Sequence, residues 1–453
     1  MKTLGGGRRS LPSPHAVAEW LPQQRWFGAK ARAIRDVTFA DVMSLGPGVV
    51  LLADVELEGG GSERYAVPLL TGPEIVDALD NVEFARALLA LLARAGAVAG
   101  EGGEIRGVPA SGLAERWPQG PPADLTVRRL GGEQSNTSLV LGEAFVLKHF
   151  RKLAEGLNPE AEIPRFLTER TSFRNTPRLA GHLEYRDARG GVTTLAVIQA
   201  LVPDAIDGWQ WVLARLREPS GGAATVQALR RLGERTGALH RALASEPSDP
   251  AFVGEPITAA DVASWTDAVV RQLASARAAL PGVSLAVDRS AVRAGLAHLV
   301  GRRKIRHHGD FHLGQTLYQP AAGDWMIIDF EGEPLRPLEE RRRKHAALRD
   351  VAGMLRSIDY AAASARDVTR SLSDWNVDAV RAFVEGYRDA AGVASFLPEP
   401  DAALEDVVAV FELEKAAYEI VYEANNRPAW IEIPKRGLLT AAARLGRNEA
   451  GAE

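Results

Sequence analysis

A chain of 453 residues is too long for one compact core, and units of about 100–200 residues put two to four of them in it. With 46% hydrophobic and 25% charged residues and a net charge of −4, the composition is that of a globular protein with no general affinity for nucleic acid or an anionic membrane. The lack of cysteine excludes disulfides, thiolate metal sites and cysteine nucleophiles.

The first residues (MKTLGGGRRS) carry positive charge with no apolar run behind them, so no secretory leader is expected. A short helical segment from Ala16 leads into Trp26-Phe27-Gly28. Asp36–Phe39, Val49–Leu57 and Glu63–Leu69 read as strands between Gly-rich turns, and residues 73–98 switch to helical spacing. Residues 1–98 therefore form a small α+β unit. A Gly/Pro-rich connection follows, then strands near Thr137–Leu141 and Ala144–Phe150, and a helix after Pro159 that carries Glu162. The strand Val192–Gln199 ends in Leu201-Val202-Pro203, a hinge. Beyond it helical periodicity dominates (Val226–Leu243, Val292–Leu299, Leu404–Tyr422), broken by strand-like Gln315–Tyr318 and Trp325–Phe330. The expected plan is a cap (1–98), an intermediate region with a nucleotide-binding lobe (99–202) and a mainly helical lobe (203–453). No segment reaches the ~20 apolar residues of a membrane span, and a cytoplasmic protein, monomeric or weakly dimeric, is expected.

The chemistry concentrates in His308-Gly309-Asp310-Phe311-His312-Leu313-Gly314-Gln315 and Ile327-Ile328-Asp329-Phe330-Glu331. Phosphoryl transfer needs a carboxylate to orient the acceptor hydroxyl and hard oxygen ligands to hold Mg²⁺ on the phosphates. Asp310 is placed as that carboxylate, with Gln315 five residues on and Asp329 at the end of an apolar strand as metal ligands, and Glu331 as a further oxygen donor. A strand lysine should meet the phosphates and a helix carboxylate should position it. Lys148 fits the first role, and Glu162, with Glu160 as second choice, fits the other. The turn from Gly131 to Thr137 would cover the phosphates through backbone N–H groups and Ser135, Asn136 or Thr137, and the backbone of Gln199, Leu201 and Val202 would meet adenine. The pattern HGDxHxxQ…IDFE resembles the aminoglycoside-phosphotransferase-like kinases, a bilobal protein-kinase-like α+β fold that uses ATP and Mg²⁺.

A narrower resemblance runs through Arg25-Trp26-Phe27-Gly28, Glu133 to Ser138, His308 to Gln315, Asp329-Phe330-Glu331-Gly332-Glu333-Pro334, Leu348 to Met354 and Phe411 to Glu419. These segments look like the bacterial maltokinase-type family, cap included. The family implies a small-molecule sugar acceptor, and Gln in place of the usual metal-binding Asn. Residues 423–434 (EANNRPAWIEIP) look most like its glucosamine-kinase branch, implying glucosamine 6-phosphate as product; the alternative is a maltokinase making maltose 1-phosphate. An aminoglycoside-inactivating kinase and a catalytically silent sensor are further readings, the latter opposed by the presence of Lys148, Asp310, Gln315 and Asp329 together. On the last long helical segment Glu412, Lys415, Glu419 and Glu423 share one face. With Asp310 and His312 they would contact the sugar, or they would form a solvated face of i,i+4 pairs. His240, on an apolar face, reads as a core histidine, and Arg349-Asp350 as a buttress of the catalytic loop or of the metal site rather than a sugar contact.

Overall fold

The computed structural model describes residues 11–131, 135–218, 220–246, 248–280, 287–365 and 373–449. Gly132, Glu133 and Gln134 of the expected phosphate-covering turn, and the first ten residues, lie outside that set. The chain divides into two compact units, one running to Pro203 and taking in Arg336–Glu340, the other comprising Asp204–Leu335 and the chain from Arg341 onward.

In the first unit α1 (Pro14–Trp20) starts at Ser13, whose hydroxyl accepts from the Ala16 N–H. It is followed by an antiparallel meander of β1 (Ile34–Leu45), β2 (Gly48–Leu57) and β3 (Ser62–Leu70). β2 is covered on both sides, which is why its sequence is almost continuously apolar. Val50 and Leu52 face α2 (Val82–Ala93) with Phe84, Leu88 and Leu92, while Val49, Leu51 and Val55 pack with Trp26, Phe27 and Tyr65. The chain then builds β4 (Ala97–Ala99), β5 (Gly103–Pro109), α3 (Ser111–Arg116), β6 (Val127–Arg129), β7 (Asn136–Leu141), β8 (Phe145–Phe150), β9 (Lys152–Leu153), α4 (Pro159–Arg170), β10 (Leu179–Asp187) and β11 (Val192–Ala200). Seven of these strands form a sheet in the order β4-β5-β10-β11-β8-β7-β6, while β9 pairs with β3 of the meander.

β5 lies inside the stretch read from sequence as a Gly/Pro-rich connection. Its glycines serve close packing rather than turning: a Cβ on Gly103 would sit 2.2 Å from the Arg186 carbonyl oxygen, and one on Gly107 2.4 Å from that of Leu91. Between β8 and β9, Arg151 is fully buried. It donates to the Thr137 hydroxyl at 2.9 Å, pairs with Asp77 and stacks on the Trp26 ring at 4.5 Å, while its carbonyl accepts from Ala66 of β3. One guanidinium thus ties the meander to β7.

The second unit opens with β12 (Ile206–Asp207) and continues through α5 (Gly208–Leu216), α6 (Gly221–Leu243), β13 (Glu255–Pro256), α7 (Ala259–Ala279), α8 (Arg289–Ala297), β14 (Arg303–Lys304), β15 (Thr316–Gln319) and β16 (Asp324–Ile327); after α9 (Leu338–Arg341), most of which belongs to the first unit, come α10 (Leu348–Ser364), α11 (Ser373–Ala391), α12 (Leu404–Asn426) and α13 (Glu432–Glu449). The sheet β12-β15-β16 presents the loops on either side of β15 and β16. It is anchored by Trp325, fully buried, whose indole N–H donates to the Ala228 carbonyl of α6 at 2.7 Å. α12 packs against α7, α10 and α13 and supplies one wall of the site described next. Among the described residues no helix is long and apolar enough to cross a membrane.

Candidate active site

In the first unit the sheet register decides which side chains accompany Lys148. Lys148 stands opposite Ser138 on β7 and Val197 on β11, so all three share a face with Phe150 and Gln199. α4 packs on that face through Ala161, beside Phe150 and Val197. Gln199 donates to the Glu160 carboxylate at 2.9 Å, which fixes Glu160, a buried residue, over the same face. Asn158 caps α4 by accepting from the Glu160 N–H at 2.9 Å and orients its first turn, where Glu160 and Glu162 both sit. Thr137 departs from expectation. It pairs with His149, on the opposite face from Lys148, and its buried hydroxyl is taken by Arg151. Ser135 is exposed and Asn136 partly so. At the end of β11 the Leu201 N–H is bonded to the Ala144 carbonyl at 2.8 Å, so that N–H is already taken.

In the second unit the two motif segments are stitched together by backbone and imidazole. The Ile328 N–H donates to the Gln315 carbonyl at 3.0 Å, and the Ile328 carbonyl lies 2.9 Å from His308 Nε2. His308 Nδ1 accepts from the Asp310 N–H at 3.4 Å. The ring therefore carries its proton on Nε2 and holds the Asp310 turn against the strand end that delivers Asp329. Asp329 itself has φ +66°, a left-handed conformation that Asp tolerates better than most residues and that is held here from both sides of Ile328. Beneath the turn lies Asp350 of α10, buried, accepting from the backbone N–H groups of His308 at 2.7 Å and Gly309 at 2.9 Å. His240 of α6 reaches the same carboxylate through Nε2 at 3.1 Å. Its Nδ1 is 3.0 Å from the Tyr387 hydroxyl of α11. A carboxylate only accepts, so Nε2 donates and Tyr387 donates to Nδ1. The core histidine read from the sequence is thus the middle of a buried Tyr387–His240–Asp350 chain.

Alongside this turn is a cavity of about 510 Å³. Its lining includes His312, Lys415 and Glu419, the group Tyr360, Tyr422, Glu423, Arg427 and Trp430, and Trp209 and Gln210. Lys415 donates to Asp310 Oδ1 at 3.1 Å and lies 3.6 Å from Glu333. Glu419 is bound by Arg356, which is fully buried, at 2.9 Å, and Glu423 by Arg427 at 2.7 Å and by the Tyr360 hydroxyl at 3.1 Å. Burial pulls the Lys415 ammonium down, but Asp310, Glu333 and Glu419 outweigh it and hold the group well above the usual lysine range. Burial likewise raises the Glu419 carboxyl, against the pull of Arg356 and Lys415.

Of the expected sugar contacts, His312, Lys415 and Glu419 line the cavity, and Asp310 adjoins it through Lys415. Glu412 does not line it: buried on α12, it pairs with Arg444 of α13 at 2.5 Å. The shared face of α12 is therefore not solvated. It is an internal network in which Glu412 has a structural partner.

Among the described residues no three His, Asp or Glu side chains form a metal cage. Mg²⁺ does not require one, since it is commonly held by one or two carboxylates together with substrate phosphates. The donor set of Gln315, Asp329 and Glu331 is all hard oxygen, and the Gln315–Ile328 bond brings the first two segments side by side. The Arg341 guanidinium donates to the Glu331 carbonyl at 3.1 Å and fixes the third. These residues fit a magnesium ion.

Residues 20–96 match the maltokinase N-terminal cap domain family. Over 316 residues, 68% of this chain and 77% of the relative, the chain is 30% identical to the glucosamine kinase of Mycolicibacterium smegmatis (strain ATCC 700084 / mc(2)155). It is 32% identical to that of Streptacidiphilus jiangxiensis over 324 residues, 68% and 71% of the two chains. The chain belongs to the glucosamine kinase family. Its fold is that of the solved family members: a glucosamine kinase in crystal form B superposes with a TM-score of 0.69 at 25% identity, covering 94% of this chain and 99% of that one. A glucosamine kinase in complex with glucosamine, ADP and inorganic phosphate does so with 0.67 at 24% identity, covering 94% and 98%. The α+β fold with an N-terminal cap, expected from the resemblance of the motifs, is the fold of this family.

Buried imidazoles make the folded protein sensitive to acid. Burial pushes His307 down to about 4, with Asp350 opposing, and also lowers His312 and, further, His149. A histidine depressed in the folded state takes up its proton more readily when unfolded, so stability is lost as pH falls below about 6.5 and the loss levels off near the folded value. Asp350 works in the same direction at lower pH. Burial raises its carboxyl, but His307, His240 and His308 outweigh that and leave it well below the usual range. Urea unfolding between pH 7.5 and pH 5 should show a loss of about 2 kcal/mol from His307 alone. An unchanged midpoint over that interval would mean that His307 is protonated within the fold.

Proposed function

We propose that the protein transfers the γ-phosphoryl group of ATP to the 6-hydroxyl of glucosamine. Lys148, oriented by a carboxylate from the first turn of α4 (Glu162 or its neighbour Glu160), serves the phosphates, with Ser135 and Asn136 in the preceding turn. Gln199, Leu201 and Val202 serve the adenine. Gln315, Asp329 and Glu331 would hold Mg²⁺, which would supply positive charge against that developing on the nucleotide phosphates. Asp310 accepts a hydrogen bond from the acceptor hydroxyl, orients it toward the phosphorus and takes its proton late in a loose transition state.

The charge layout of the cavity carries the reading. Its lining sets Asp207, Glu419 and Glu423 against Lys415 and Arg427, three carboxylates to two cations, and the Lys415 cation stands at the Asp310 end. In glucosamine the ammonium is on C2, and the hydroxyl farthest from it across the ring is the one on C6. An acceptor that brings its 6-hydroxyl to Asp310 therefore keeps its ammonium clear of the Lys415 cation that is bonded to that carboxylate. The aromatic rings of Tyr418, Tyr422 and Trp430 supply apolar surface for the C–H faces of a pyranose. A neutral disaccharide such as maltose makes no use of the carboxylate excess.

ADP release with Mg-ATP should be measured across glucosamine, N-acetylglucosamine, glucose, maltose and an aminoglycoside, with the product position read by ³¹P–¹H NMR. Glucosamine should exceed N-acetylglucosamine by at least ~10-fold in kcat/KM, because acetylation removes a charge-assisted contact worth about 1.5–3 kcal/mol. Preferred turnover of maltose would replace this reading with that of a maltokinase.

A further inference from the structure

Two neighbouring residues on α10 and two on α12 converge on the catalytic turn. Asp350 of α10 holds the His308 and Gly309 backbone, while Arg349 beside it lies 3.1 Å from Glu414 and 3.9 Å from Glu333. On α12, Glu414 receives Arg349, and Lys415 beside it reaches Asp310 Oδ1 at 3.1 Å and Glu333 at 3.6 Å. The result is one line of alternating charge, Glu414–Arg349–Glu333–Lys415–Asp310, ending on the carboxylate that must face the acceptor. Its members come from both motif segments and from two helices remote in sequence. Asp310 and Lys415 are each about four-fifths buried, so their contact is not the mobile surface pair that contributes little.

We infer that Lys415 is a positioning residue for phosphoryl transfer: by donating to one carboxylate oxygen of Asp310 it fixes the rotamer and leaves the other oxygen to accept the acceptor hydroxyl. An Asp side chain has two soft torsions, and a carboxylate free to rotate presents its lone pairs to the hydroxyl only part of the time. Lys415 removes that freedom. Its second contact, to Glu333, sets the ammonium in place from the other side, so the pair Asp310–Glu333 is held at one spacing. Lys415 also lines the acceptor cavity, so an acceptor that fills this end packs against the group that aims the carboxylate. From residue spacing alone Lys415 is a candidate sugar contact. The geometry points to the carboxylate as its main partner.

This inference rests on the reading of the protein as a hydroxyl-directed kinase, and the test separates the two. Steady-state kinetics of the wild type, Lys415→Met and Lys415→Arg are compared on the best acceptor, with thermal unfolding of each. Lys415→Met keeps the length and apolar stem of the side chain and removes the charge. Its kcat should fall ~10²-fold, as a misplaced catalytic group does, while KM for ATP changes less than about threefold. Lys415→Arg, which restores the cation, should recover at least ~10-fold of that loss. A wild type that turns over no hydroxyl acceptor would remove the kinase reading and this inference with it. An active wild type whose Lys415→Met variant keeps kcat within about threefold would remove the role of Lys415 alone. So would a variant whose loss lies wholly in KM for the acceptor, since that would make Lys415 a sugar contact and nothing more.

Discussion

Replacing Asp310 by asparagine is expected to lower kcat by ~10²–10⁴-fold while leaving nucleotide affinity within about threefold of the wild type. The substitution is nearly isosteric, and the amide oxygen can still accept from Lys415, which keeps its contact with Glu333 in any case. The Asp310 N–H bond to His308 is a backbone bond and survives, as do both bonds from Asp350 to the preceding residues. What is lost is the negative charge and the capacity to take a proton. Orientation of the hydroxyl can persist in part, which is why the loss is bounded. The measurement is a pair: kcat by ADP release at saturating acceptor, and nucleotide binding by calorimetry. A variant within ~10-fold of wild-type kcat would assign the proton to another group, and His312 and the Glu419 carboxylate both line the cavity.

The turn from His308 to Gln315 was legible in the sequence because its parts are close in the chain and chemically unusual. An Asp and a Gln five residues apart, followed by an acidic strand end, have few structural explanations, and the two segments indeed meet through the Gln315–Ile328 bond. The strand that carries Lys148 was legible for a similar reason, being short, apolar and bounded by turns. Three features were not. β10 reads as a mixed sequence because His182 and Glu184, buried and 3.3 Å apart, put polar residues where a strand in a covered sheet would be apolar. Thr137 sits one residue from a position facing Lys148, and a period of two then turns it to the far side, where Arg151 takes it. Glu412 and Glu423 stand on the same face of α12 by helical spacing, but α13 supplies Arg444 to one, while Tyr360 and Arg427 meet the other beside the cavity. Local period fixes the face of a helix, whereas partners far off in the chain decide what that face is for.

Replacing Asp350 by alanine is expected to destabilise the protein by about 3–5 kcal/mol, more than any other single change at the site, and to abolish turnover even in the fraction that stays folded. Asp350 is 2% exposed, and its two oxygens receive three donors: the N–H groups of His308 and Gly309 and the Nε2–H of His240. With the carboxylate gone, all three are buried without it, at about 1–3 kcal/mol each before relaxation. Gly309 has φ +88°, so the turn holds a shape that few sequences adopt unaided, and the carboxylate beneath it is what locks that shape in place. Asp350→Asn separates the two effects. Its amide oxygen can serve one N–H, but its NH₂ group meets a donor, so a loss of about 1–3 kcal/mol is expected with a lower kcat in a mostly folded enzyme. Urea unfolding monitored by tryptophan fluorescence gives the first quantity and ADP release the second. If Asp350→Ala lost less than about 1 kcal/mol, water would have to be replacing the carboxylate beneath the turn. The loop geometry would then be set by the Ile328, Gln315 and His308 contacts, and Asp350 would be a bystander to catalysis.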